Sequence, residues 1–113
     1  MNIEVFRECC LKLPFVTEDM PFGPDVLTFR LKGKIFACVG LDKPDLVVLK
    51  CDPTMATELR ERYEGIEGAF HWNKKYWNQI WLCRDVDDEL IISLIEHAWK
   101  EVNKKLPRKE QIQ

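Results

Sequence analysis

The chain predicts an α+β two-layer sandwich, an antiparallel sheet with helices packed on one face. Three observations carry that prediction. Runs of alternating apolar residues crowd the stretch between positions 26 and 51. A stripe of apolar residues at helical spacing lies near each end of the chain. The length, 113 residues, suits a single domain over 1–113 that buries roughly two-thirds of its unfolded surface. The expected order is α-β-β-β-(β)-α-β-α, with residues 108–113 as a flexible tail.

Asn2 can cap a first helix that runs to about Lys12, with Ile3, Phe6, Cys10 and Leu13 on its buried side. Pro14 prevents continuation. Phe15 to Phe22 reads as a short extended segment, and Pro21-Phe22-Gly23-Pro24 as a turn. Val26 to Leu31 alternates, placing Leu27, Phe29 and Leu31 on one face and Thr28 and Arg30 on the other. Lys32-Gly33 supplies a tight turn, with Gly giving the positive φ. Lys34 to Gly40 returns with Ile35, Ala37 and Val39 inward and Phe36 and Cys38 opposite, so that this strand could be covered on both sides. Leu46 to Cys51 is a third strand.

Asp52-Pro53 opens a helix that should end near Tyr63 or Glu64, with Gly65 in the left-handed terminating position. Ile66 to Lys75 shows no regular pattern. Tyr76 to Leu82 alternates as a further strand, Asn78, Ile80 and Leu82 against Trp77, Gln79 and Trp81. Asp85 or Asp87 can cap the last helix, and Lys104 and Lys105 suit its negative end before Pro107 closes it. Its stripe of Leu90, Ile91, Leu94, Ile95, Ala98, Trp99 and Val102 must cover a sheet.

Composition excludes several classes. Apolar residues at 46% and charged ones at 32% make a globular balance, not a disordered one. The longest apolar runs are far too short to cross a bilayer, and acids stand where a signal peptide needs a basic and then apolar stretch. The expectation is a cytoplasmic protein with no membrane partner. Five cysteines without a C-x-x-C pair read as reduced thiols used as small hydrophobes, rather than as disulfides or metal ligands. The net charge of −2 gives no whole-molecule attraction for nucleic acid. Its distribution is uneven, however: residues 1–25 carry −3 and residues 100–113 carry +3.

The segment Phe70-His71-Trp72-Asn73-Lys74-Lys75-Tyr76-Trp77-Asn78 gathers rings, amides and cations in an irregular stretch. Such loops can stack bases and donate to phosphates. Alternatively, Trp72, Tyr76 and Trp77 anchor the loop to the core and leave two solvated lysines. His71 could orient that loop or meet a ligand, but the sequence places no cysteine beside it to form a nucleophilic pair. His97, next to Glu96 on the polar side of the last helix, reads as solvated. Glu58 and Glu61 lie among Arg60 and Arg62 on an exposed helix face, and the acids from Asp85 to Glu89 are explained by capping. No EF-hand spacing, His-x-x-x-His pair or glycine-rich phosphate loop occurs, and Lys32-Gly33-Lys34 is a hairpin turn. A binding domain without cofactor or metal is therefore expected, not an enzyme.

Taken in order, several short pieces resemble the MmcQ/YjbR family from about Arg7 to Leu106. They are Pro21-Phe22-Gly23 with Phe29, Lys34-Ile35-Phe36, Leu49-Lys50-Cys51-Asp52-Pro53, Leu59-Arg60, and Tyr63-Glu64-Gly65-Ile66. The most specific is His71-x-Asn73-Lys74-x-x-Trp77, read with Leu106-Pro107. The resemblance implies a CyaY-like fold, similar in shape to frataxin, in a bacterial cytoplasmic protein described for the family as DNA-binding through a double wing of loops. Fold alone does not fix that function. One departure is Ala98-Trp99, where family members often have Ser-Tyr. A ligand role of that Tyr hydroxyl would be absent here, whereas a packing role could pass to Trp.

The leading expectation is a DNA-binding or regulatory domain. Lys74 and Lys75, helped by Lys32 and Lys34, would contact phosphates, while His71, Trp72 and Asn73 touch sugars or bases beside Trp77. Two alternatives stand next to it. One is a protein-interaction module using exposed aromatics such as Trp72 and Trp81; the other is a frataxin-like metal or small-molecule binder with sparse acids at Glu4, Glu8, Glu18 and Asp19. The expected partners are DNA or another protein, and the expected state a monomer or weak dimer.

Overall fold

The computed structural model describes all residues from Met1 to Gln113. The side chain of Asn2 accepts from the Val5 amide and opens α1 (Ile3–Leu11), which buries Phe6 and Cys10. Four strands follow: β1 (Val16–Asp19), β2 (Val26–Leu31), β3 (Lys34–Gly40) and β4 (Leu46–Lys50). Helix α2 (Pro53–Arg62) starts where the Asp52 carboxylate accepts from the Thr54 and Met55 amides. Strands β5 (Ile66–Gly68) and β6 (Trp77–Trp81) precede α3 (Asp88–Lys105), which Asp87 caps through the Leu90 amide. The strands form one open sheet in the order β1-β2-β3-β4-β6-β5, every pair antiparallel.

All three helices lie on one face, as the apolar stripes require. Helix α3 crosses β2, β3 and β4, α1 packs against α3, and α2 packs against β5. Ile91, Leu94, Ile95, Ala98 and Val102 of α3 meet Phe29, Leu31, Val39, Val47, Leu49 and Ile80 of the sheet in one continuous core. Trp99 is buried and its indole Nε1 donates to the Pro14 carbonyl at 3.1 Å, so at this position the ring packs and braces the end of α1. No helix is long and apolar enough to cross a membrane.

Five sequence expectations are corrected. Strand β5 forms within a segment that shows no periodicity, because three residues pairing with β6 are too few to display one. Phe36 does not share a face with Cys38, and Ile35 does not point inward with Ala37 and Val39 but lines the cationic groove. The β2–β3 register shifts between Phe29 and Arg30, and the bulge turns Phe36 into the core, fully buried. Gly65 is not left-handed: α2 ends at Tyr63 in extended conformation, and a Cβ at Gly65 would stand 2.8 Å from Asp85 Oδ1. That carboxylate accepts from the Glu64 and Gly65 amides, so the glycine serves a close approach. His97 is not simply solvated, since its Nε2 accepts from the Asp52 amide at 3.1 Å. Residues 108–113 are tied back rather than loose: Asn103 exchanges two hydrogen bonds with Ile112, and Ile112 packs on the core.

The Lys32-Gly33 turn has positive φ at both residues, 52° and 82°, as a two-residue hairpin of the primed type needs. The sheet face away from the helices stays open. Across it the registers align Asp19, Thr28, Cys38, Val48, Gln79 and Glu67 in one row.

Candidate functional site

Two neighbouring grooves meet at the sheet: an apolar one on the open face, built by the alternation of the strands, and a cationic one at the sheet's end, where the β2–β3 hairpin meets the C-terminal end of α3. In β4, Leu46, Val48 and Lys50 point away from the helices, and they pair with Trp81, Gln79 and Trp77 of β6. The upper end of this face is apolar. Phe22 from the turn after β1 and Phe70, His71 and Trp72 from the β5–β6 loop rise over Cys38, Val48 and Trp81 to enclose about 690 Å³. Phe22 and Phe70 are 61% and 72% exposed, so their rings are presented at the rim rather than used as anchors. Polar groups of the floor are already satisfied: Gln79 accepts from the Phe70 amide and donates to Glu67, and Trp81 donates to Glu67 at 2.8 Å. Those two donors hold the Glu67 carboxyl below its usual range. The Cys38 thiol, pushed up to about 11 by burial, is protonated at neutral pH and is no thiolate for His71 to assist.

The lower end is cationic. Lys34, Lys50 and Lys105 line a groove of about 390 Å³ together with Arg30 and Trp77, and its helical wall is the end of α3 with Val102, Leu106 and Pro107. Lys50 Nζ sits 5.3 Å from the centre of the Trp77 ring, and Tyr76 lies between two ammonium groups, Lys105 at 4.7 Å and Lys75 at 5.4 Å. Burial, and then the neighbouring charge of Lys105, lower the Lys50 pKa, with Glu101 opposing. Glu101 is itself engaged by Lys104 at 2.6 Å, and Arg30 by Asp19 at 3.0 Å. Lys34, Lys50, Lys75 and Lys105 are in no ion pair. The two grooves touch through a ring pair, Trp72 and Trp77, whose centroids are 4.4 Å apart.

The sequence-predicted residues divide among these surfaces. His71 and Trp72 line the apolar groove; Lys34 and Trp77 line the cationic one. Lys32, Lys74 and Asn73 join neither. Lys32 lies over the exposed Phe15 ring, and Lys74 over Phe70, donating to the Phe70 carbonyl at 3.4 Å. The Asn73 side chain accepts from the Lys75 amide and shapes the loop. Lys75 also borders a shallow depression with Glu58 and Glu61, which weakens its claim as an anion ligand. Lys32 and Lys34 therefore do not converge with Lys74 and Lys75 as one basic patch. Lys50 and Lys105 were not singled out, because one reads as a strand end and the other as a helix-dipole complement.

The alternative sites fare differently. Trp72 and Trp81 are half-buried, Arg84 covers the Trp81 ring at 4.6 Å, and ring exposure belongs instead to Phe15, Phe22 and Phe70. Of the sparse acids near α1, Glu18 is bound by Arg7 and Asp19 by Arg30. No group of three or more His, Cys, Asp or Glu side chains is arranged to hold a metal ion. All five cysteines are free thiols.

Comparison with known proteins returns one family. The YjbR family model matches residues 11–101. The chain is 31% identical over 109 residues to the uncharacterized protein YbdF of Escherichia coli O157:H7, covering 96% of this chain and 89% of that one. A crystal structure of the Deinococcus radiodurans protein DR2400, with a DUF419 family-model domain, superimposes with a TM-score of 0.90 at 30% identity, over 96% of this chain and 83% of that one. A Pseudomonas syringae protein of known crystal structure gives 0.75 at 27% identity, over 89% and 98% of the two chains.

Proposed function

The chain belongs to the YjbR family, and from that membership together with the groove geometry we propose a nucleic-acid-binding, non-catalytic domain that works through its open sheet face. The observation that supports this reading most is the meeting of Lys34, Lys50 and Lys105 around Trp77 with no carboxylate paired to them. Lys50 is partly desolvated by burial and feels the like charge of Lys105, so an anion between the two would favour its charged form. A ring at the centre of such a cluster is what a phosphate-and-base ligand can use, the phosphate on the cations and the base on the ring. The net charge of −2 is compatible with this, because a Debye length of about 8 Å at physiological salt confines the interaction to the local surface.

The test is fluorescence anisotropy with labelled DNA and RNA oligonucleotides between about 50 and 200 mM salt. Three phosphate contacts give a log–log slope of about −2 to −3. Lys50→Gln with Lys105→Gln should weaken binding and flatten that slope by about 1 to 2. Absence of binding to every oligonucleotide at about 50 mM salt contradicts the proposal.

A further inference from the structure

We infer that the open sheet face selects single strands, by taking an unpaired nucleobase into the apolar groove while its phosphate rests on Lys34, Lys50 and Lys105. This rests on the nucleic-acid reading above and narrows its ligand class. The apolar groove, about 690 Å³, is of the size that holds a small planar group. Rings of Phe22, Phe70, Trp72 and Trp81 stand around it. Its floor residue Val48 and the cation Lys50 are two positions apart on one strand, a separation of about 7 Å. Phosphate and base of one nucleotide can therefore reach the two grooves together, across the Trp72–Trp77 pair that joins them.

The chemistry of the lining decides between strand types. A base inside a duplex has both π faces covered by its neighbours and its edges paired, so it has nothing to offer an aromatic wall. An unpaired base has both faces free, and stacking on rings requires no particular base. Gln79 and Trp81 have their polar atoms committed to Glu67 and to the Phe70 amide, so among the lining residues the side chains left to meet a base edge are Asp42, Lys43 and His71. The site is thus expected to be selective for strandedness. Only the C-terminal end of α3 reaches the cationic groove, and no helix lies along the open face to enter a major groove from it.

Three probes of equal length separate the outcomes at about 50 mM salt: a single-stranded oligothymidylate, the same strand annealed to its complement, and an abasic single strand. The single strand should bind at least about tenfold tighter than the duplex or the abasic strand and should quench tryptophan fluorescence. Phe70→Ala, at an exposed position, and Trp72→Ala should each bring the single strand down toward the abasic level. Lys50→Gln should weaken all three probes alike. Equal binding of the three probes, or tighter binding of the duplex, overturns the inference while leaving the cationic groove as a phosphate site. Failure of all three to bind removes both.

Discussion

At the scale of single residues, burial governs the chemistry more than sequence neighbours do. Lys50 shows this best. It looks like the polar end of an apolar strand, yet alternation with Leu46 and Val48 places it on the open face, across from Trp77. That alternation was legible; the identity of the facing residue was not, because the pairing of β4 with β6 skips the intervening helix and strand. Lys105 is harder still, since 55 positions separate it from Lys50 and only the path of α3 joins them. The His71–Trp77 segment was visible by composition, but composition could not tell that its lysines would turn outward over Phe70 and Tyr76. The buried thiols give a pH prediction. Burial raises Cys38 to about 11 and Cys51 to about 12 from an ordinary 9.0. A thiol whose pKa is higher in the folded state contributes stability that is complete below the unfolded value and is lost as pH climbs through the folded one. Urea denaturation from pH 8 to 11 should therefore show falling stability above about pH 9, with a shallower fall in Cys38→Ala than in the parent. Parallel pH profiles for the two proteins would contradict this.

At the scale of elements, the expectations succeeded where a pattern was long and failed where a local irregularity intervened. Helix α3 repeats its stripe over 18 residues and was placed almost to its ends. Asn2 and Asp52 announced their helices because a side-chain acceptor there has free amides to satisfy. Strand β5 has only three residues, and the bulge at Phe36 breaks the two-residue period that placed that ring opposite the core. The bulge has a measurable consequence. Phe36 is as fully buried as Phe29, so Phe36→Ala should cost about 3–5 kcal/mol in urea unfolding, as Phe29→Ala should. A loss below about 1 kcal/mol would return Phe36 to the open face and contradict the register. Gly65 teaches the same lesson differently: its position after a helix suggested a left-handed cap, while the real constraint is Asp85, some 20 residues downstream.

At the scale of the whole molecule, a slightly anionic protein keeps a local cationic surface because the fold sorts charges that the sequence mixes. Near α1, Glu18 and Asp19 are engaged by Arg7 and Arg30, and Glu101 is engaged by Lys104, while Lys34, Lys50 and Lys105 are left without an ion-paired carboxylate where the sheet meets the end of α3. The two-layer fold makes this possible by leaving one sheet face open and bringing the end of α3 to its border, where Lys105 joins Lys34 and Lys50. The four indoles report on the two sides separately: Trp72, Trp77 and Trp81 border the grooves, and Trp99 bonds to Pro14 within the helical layer. Titration of 15N-labelled protein with a short single-stranded oligonucleotide, followed through the indole N–H resonances, shows where on the molecule the strand binds. Binding at the two grooves should move the Trp72, Trp77 and Trp81 signals while Trp99 stays in place. Movement of Trp99 alone, or no movement of any indole at saturating oligonucleotide, would contradict it.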